Sequence, residues 1–116
     1  MEDCLFCKII KNEVGCEKVY ENEYVLAFKD IHPVAPVHVL VVPKVHIASM
    51  NEITTENSEH IKQVYIAIKE IAKICSIYEP GYRVICNCGE DGCQVVNHIH
   101  FHLIGGKNLG SKIVHE

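Results

Sequence analysis

The chain reads as a single α+β domain: a five-stranded antiparallel sheet with one long and one short helix. Three observations predict it. Apolar, β-branched runs bounded by turn residues occur in both halves of the chain. Between them lies one long segment whose apolar residues recur at spacings of three and four. The resulting order, strands then helix then strands, suits an antiparallel sheet with the helix on one face. A length of 116 residues fits one compact domain, 1–116, with a modest core.

The elements follow in order. Leu5 to Ile10 is a short apolar segment of one or two helical turns. Lys18–Glu21 and Tyr24–Lys29 are strands around a turn at Glu21-Asn22-Glu23, the second rich in residues that suit a pleated, half-buried surface. Asp30 to Pro36 is a loop, because its two prolines lack amide hydrogens. Val37–Val42 is a β-branched central strand stopped by Pro43. The long helix spans about Thr55 to Tyr78. Ile61, Val64, Tyr65, Ile68, Ile71, Ala72, Cys75 and Tyr78 share its apolar face, Thr54 or Thr55 caps its start, and Pro80-Gly81 prevents its continuation. Tyr82–Asn87 is a strand, Cys88–Gly92 a turn, and His98–Leu103 the last strand. The Gly-rich, polar tail Gly105–Glu116 is expected to be loosely held.

Composition narrows the function. Apolar residues make up 48% and charged residues 22%, the balance of a soluble globular domain. The net charge of −4 and the lack of a basic block argue against a nucleic-acid partner, whereas a mononucleotide needs no such patch. No run approaches the ~20 apolar residues that span a bilayer, and the acidic start is no secretory leader. The seven cysteines, 4, 7, 16, 75, 86, 88 and 93, are odd in number and predict reduced thiols in the cytoplasm.

Asn97-His98-Ile99-His100-Phe101-His102-Leu103-Ile104 is the informative segment. Strand side chains alternate, so His98, His100 and His102 share one face while Ile99, Phe101 and Leu103 enter the core. His38, on a second predicted strand, joins the row if the two strands are neighbours. A lone histidine is ordinary packing. Three at strict period two repel one another when charged and need partners when buried, so packing alone explains them poorly. Two chemistries suit the row. Imidazoles ligate metals. A neutral imidazole also attacks an electrophile when its other nitrogen donates to a fixed acceptor, and neighbouring N–H groups then stabilise phosphate oxygens.

The His-φ-His-φ-His-φ-φ run, with Phe6-Cys7-Lys8-Ile9-Ile10, Asp30-Ile31, Pro36-Val37-His38, Pro43-Lys44-Val45-His46 and Asn87 through Gly92, resembles the histidine triad superfamily over nearly the whole chain. It is most similar to the Hint-type nucleotide hydrolases and their bacterial relatives. The resemblance implies adenosine 5′-monophosphoramidase-like activity on a purine nucleotide conjugate, releasing AMP or GMP. His100 would be the nucleophile, with His102, His38 and His98 completing the catalytic row. Asn87 would meet the phosphate or the leaving group, and Asp30 the ribose hydroxyls. Ile31, Phe28, Phe6, Leu5, Ile9 and Val14 would form the purine slot, with Gln94 and Val95 beside the phosphate. A homodimer is implied, its sheets joined edge to edge.

The sequence departs from the family in places. Val95 stands where Ser or Thr is common and cannot donate a proton to a leaving-group nitrogen. Cys93 stands where Gly or Ala is usual. The Trp-Pro-Pro C-terminus of the Hint type is missing.

Cys4-Leu5-Phe6-Cys7 taken alone is either a redox pair or half a metal site. The resemblance to bacterial members completes a set of Cys4, Cys7, His46 and His98. Such a closed four-ligand zinc site would be structural, and no cofactor would enter the chemistry. Three rival readings share these residues: a dinucleotide-polyphosphate hydrolase or nucleotidyl transferase, a nucleotide-binding adaptor with little turnover, and a zinc hydrolase using the histidine row as ligands.

Overall fold

The computed structural model describes residues 3–113. Five strands, β1 (Lys18–Glu21), β2 (Val25–Lys29), β3 (Val37–Pro43), β4 (Tyr82–Ile85) and β5 (Phe101–Gly105), form one antiparallel sheet in the order β1-β2-β3-β5-β4. Helix α1 (Leu5–Ile10) and helix α2 (Ser58–Ile74) complete the fold with a single 3-10 turn at Met50–Glu52. The α+β architecture is thus the expected one.

The sheet separates two apolar clusters. Val39, Val41, Ile99, Phe101 and Leu103 meet Val64, Ala67, Ile68, Ile71 and Ala72 of α2 on one face. On the other face Leu26, Phe28, Leu40 and Val42 pack against Cys4, Phe6, Cys7 and Ile9 of the N-terminal segment. Period-two alternation in β3 and β5 therefore sends Val39, Val41, Phe101 and Leu103 to α2, and His38, Leu40, Val42 and His102 to the α1 side.

Several element ends differ from expectation. Helix α2 starts at Ser58, not Thr55. Thr54 and Asn57 instead bond each other reciprocally, Asn57 Oδ1 accepting from Thr54 N–H at 2.8 Å and Thr54 Oγ1 from Asn57 N–H at 3.3 Å, which closes a turn ahead of the helix. The helix ends at Ile74, before Pro80. Ser76 adopts a φ of 61°, its N–H reaches Lys73 O, and Ile77 N–H reaches Ala72 O, a Schellman closure. Tyr65 and Tyr78 lie exposed; Ala67 takes the core place assigned to Tyr65.

The last strand begins at Phe101, three residues later than predicted. His98 to His100 run past the segment after β3, where Ile99 N–H donates to Ile47 O at 2.7 Å. Strand β4 ends at Ile85, two residues early. The tail is partly tied: Gly105 lies in β5, and Arg83 Nη2 donates to Gly110 O at 2.6 Å. Residues 114–116 lie outside the described residues.

Candidate active site and metal cluster

β3 and β5 are neighbours, with His38 opposite Ile104 and Leu40 opposite His102. That register brings four imidazoles and His46 onto the α1 side. Ring centroids lie 5.2 Å apart for His38 and His102, 5.3 Å for His102 and His100, and 5.1 Å for His98 and His46. Phe6 stands edge-on to both His98 and His100, at 6.0 and 5.1 Å, and bridges the two parts of the row.

The hydrogen bonds fix each neutral ring's tautomer, because a carbonyl only accepts and an amide only donates. His100 Nδ1–H donates to the His98 carbonyl at 2.8 Å, which leaves Nε2 unprotonated. His38 Nδ1 accepts from Val34 N–H at 3.2 Å, so its proton sits on Nε2. That nitrogen is 2.9 Å from His102 Nδ1 and 3.3 Å from Asp30 Oδ2. Donation to His102 Nδ1 puts the His102 proton on Nε2. His100 and His102 thus offer side by side one bare nitrogen, on His100, and one N–H, on His102. Burial, followed by the neighbouring His100 and His38, holds His102 below its ordinary pKa, while Asp30 opposes the shift.

His100 and His102 line a cleft of about 790 Å³. Leu5, Phe6, Ile9, Val14, Phe28 and Ile31 give it an apolar wall; Asp30, Asn87 and Val95 line it too. Asp30 Oδ1 is held by His32 N–H at 2.8 Å. His38 stands behind His102 rather than on the cleft. His98, fully buried, belongs to the cysteine–histidine cluster described below. Gln94 is turned away from the cleft: its Nε2 donates to Ala48 O and Val96 O at 2.7 and 3.0 Å, and its Oε1 accepts from Gly89 N–H.

Leu40 and Val96 also line the cleft and were not anticipated. Leu40 was legible, being two residues beyond His38 on the same strand face. The Val34 amide left no signal, since every residue but proline carries one.

Cys4, Cys7, His46 and His98 converge, their four ligand atoms all within 4.8 Å of one another. Cys4 Sγ is 3.3 Å and Cys7 Sγ 3.6 Å from His98 Nδ1, and Cys7 Sγ is 3.3 Å from His46 Nδ1. A tetrahedral ion with metal–sulfur bonds of ~2.3 Å and metal–nitrogen bonds of ~2.0 Å demands sulfur–nitrogen edges of about 3.5 Å, so the set fits one. His98 Nε2–H donates to Pro43 O at 2.9 Å, which aims the lone pair of Nδ1 at the sulfurs. Burial pushes His98 down to about 4, and burial together with the Cys4 hydrogen bond pushes the Cys7 thiol up to about 11. The four residues can therefore hold a metal ion. Asp30, His38 and His102 form a second group with ligand atoms as close, though here hydrogen bonds already link them.

Known proteins resemble this chain in sequence and in fold. The HIT domain profile matches residues 11–109. The purine nucleoside phosphoramidase of Escherichia coli is 38% identical over 115 residues, covering 99% of this chain and 97% of the relative. A HIT family hydrolase from Clostridium thermocellum superposes with a TM-score of 0.95 at 47% identity, covering 98% of this chain and 99% of that one. A histidine triad nucleotide-binding protein from Candida albicans gives a TM-score of 0.85 at 36% identity, covering 98% and 85%. With its fold, its alternating imidazoles and these likenesses, the chain belongs to the HIT family.

Proposed function

We propose that the chain is a nucleotide hydrolase in which His100 attacks the α-phosphorus of a purine nucleoside 5′-phosphoramidate or related conjugate. One observation carries this reading: His100 Nδ1–H is held by a backbone carbonyl at 2.8 Å, so Nε2 is a bare nucleophile on a ring that lines the cleft. As the Nε2–phosphorus bond forms, the bond from phosphorus to the leaving group breaks, and the leaving group takes the His102 Nε2 proton. Water then attacks phosphorus, returns a proton to His102 and releases the nucleoside monophosphate and free His100. Asn87 offers an amide to the phosphate, Asp30 accepts from the ribose hydroxyls, and the apolar wall receives the base. The E. coli relative's name, purine nucleoside phosphoramidase, supports the substrate class.

The test is a variant pair. His100→Ala is expected to lower turnover of adenosine phosphoramidate at least about a thousandfold, as loss of a nucleophile does, while AMP still binds. With the p-nitrophenyl ester of AMP, whose leaving group needs no proton, His102→Ala is expected to accumulate a nucleotidyl adduct visible by intact-protein mass spectrometry. Turnover retained by His100→Ala would remove the nucleophile from this role. An adaptor, the reading favoured by the missing donor at Val95, binds AMP without adduct in any variant.

The Cys4, Cys7, His46 and His98 set suits zinc, two thiolates and two imidazoles being a closed structural complement. When bound, the ion would supply cross-linking rather than reaction chemistry, tying α1 to the segments that carry His46 and His98. A homodimer joined along the free edge of β4 agrees with the exposed Tyr65, Ile66, Ile74, Tyr78 and Tyr82 on and beside α2. Seven thiols without a disulfide suit the reducing cytoplasm.

A further inference from the structure

Cys4, Cys7, His46 and His98 converge on one point, yet they are not equally reached from outside. Cys4 and His46 line a hollow of about 490 Å³, separate from the cleft that holds His100. Cys7 and His98 take no part in its wall. His98 is fully buried, and Phe6, 4% exposed, stands edge-on to it on the side of His100. The 790 Å³ cleft beyond Phe6 is lined by none of the four residues. The cluster is thus closed toward the cleft and presents two of its members to the smaller hollow.

The polar lining of that hollow is specific. Asp3 and Asn97, both exposed, stand in its wall with Cys4 and His46. Asp3 directly precedes Cys4 and is the one carboxylate lining the hollow. It is not among the four residues whose ligand atoms lie within 4.8 Å of one another. A closed tetrahedral set is filled one ligand at a time, and the incoming ion sheds water as it goes. Carboxylate oxygen, thiolate and imidazole all bind zinc, so a wall with one of each can replace water before the buried pair is reached.

We infer that this hollow is the loading route of the metal cluster, and that Asp3, Cys4 and His46 form a transient entry site for a divalent cation. The inference rests on the reading of the four-residue cluster as a zinc site and adds to it a route and a fifth residue. Cys7 and His98 close the set last. As each metal–sulfur bond forms, the thiol proton passes to water, and the carboxylate–metal bond breaks when the fourth permanent ligand engages. A group that holds the ion only in transit speeds entry and exit alike and leaves the affinity unchanged. A permanent ligand changes the affinity. Loss of one carboxylate charge close to a cation in a wet hollow slows passage by about fivefold, and salt screens the difference.

The experiment measures zinc exchange in the full-length wild type, Asp3→Asn and Asn97→Trp. Entry is followed by stopped flow as chelator-treated protein takes zinc from a fluorescent indicator. Exit is followed by transfer to a chromophoric chelator, and affinity by equilibrium competition. Wild type is expected to hold about one zinc per chain by elemental analysis. Asp3→Asn is expected to slow entry and exit each by about fivefold at low salt and less at high salt, with affinity unchanged. Asn97→Trp, which fills the hollow from an exposed position, is expected to slow both at every salt concentration. Unchanged rates in Asp3→Asn, or an affinity that falls with them, strike Asp3 from the entry site. Unchanged rates in Asn97→Trp, or exchange in wild type that saturating AMP blocks, overturn the hollow as the route. A wild type that binds no zinc overturns the zinc reading itself, and the route with it.

Discussion

At the scale of single residues, backbone groups decide what each imidazole does. The His98 carbonyl strips His100 Nε2 of its proton, the Pro43 carbonyl does the same for His98 Nδ1, and the Val34 amide sends the His38 proton to Nε2. On the reading proposed above, identical side chains would thereby serve as a nucleophile, a metal ligand and a relay. The metal cluster yields a prediction at this scale. Burial and the neighbouring Cys4 keep the Cys7 thiol protonated, near 11, so a metal must displace protons to bind. Titrating zinc into chelator-treated protein at pH 7.5 is expected to release about two protons per ion, read with a pH indicator in weak buffer. Cys4→Ala and Cys7→Ala are expected to lose about one zinc per chain by elemental analysis. Zinc uptake without proton release would mean that the thiols are not the ligands. The histidine row was legible in the sequence because alternation is a local property of a strand. The tautomers were not, since they depend on partners such as Pro43 and Val34 that side-chain identity does not single out.

At the scale of elements, interiors were legible throughout, and the ends of α1 and β1 with them, whereas the ends of α2, β4 and β5 were not. The β-branched run of β3 and the three-and-four spacing of α2 are carried by side chains within each element. The start of α2 depends on Thr54 and Asn57 bonding each other, a choice that competes with either Thr54 or Thr55 capping the helix directly. Its end depends on Ser76 entering the left-handed region at a φ of 61°, with Ile77, buried against the core, closing the motif. Serine adopts that conformation at a cost that glycine avoids. Ser76→Gly is therefore expected to stabilise the fold by about 0.5–1 kcal/mol, a rise in Tm of roughly 2–6 °C for a domain of this size. Thermal melts of the two proteins decide it. A lower Tm for the glycine variant would show that the Ser76 side chain makes a contact worth more than the backbone strain.

At the scale of the whole molecule, two clusters divided by one sheet make folding depend on keeping imidazoles neutral. His98 is fully buried and held down to about 4 by that burial, and His102 is lowered by the same cause. In the unfolded chain both take a proton near 6.5. Between that value and the folded ones the unfolded state binds more protons, so the contribution of these groups is complete above about pH 6.5 and is lost as pH falls below it. Glu21 acts in a separate window. Lys18 and Lys44 hold it near 2, so its contribution is complete above the usual carboxylate range and declines only in stronger acid. Lowering pH from 7 to 5 therefore samples the histidines and leaves Glu21 ionised in the folded protein. For chelator-treated protein, the urea midpoint is expected to fall over that interval, with His98 alone contributing about 2 kcal/mol of the loss if its ring stays sealed. Loaded with zinc, the protein is expected to lose more over the same interval, because protons then also compete with the ion for its four ligands. A urea midpoint unchanged between pH 7 and pH 5 would mean that water reaches His98, and the sealed junction between α1 and the segment entering β5 would have to be abandoned.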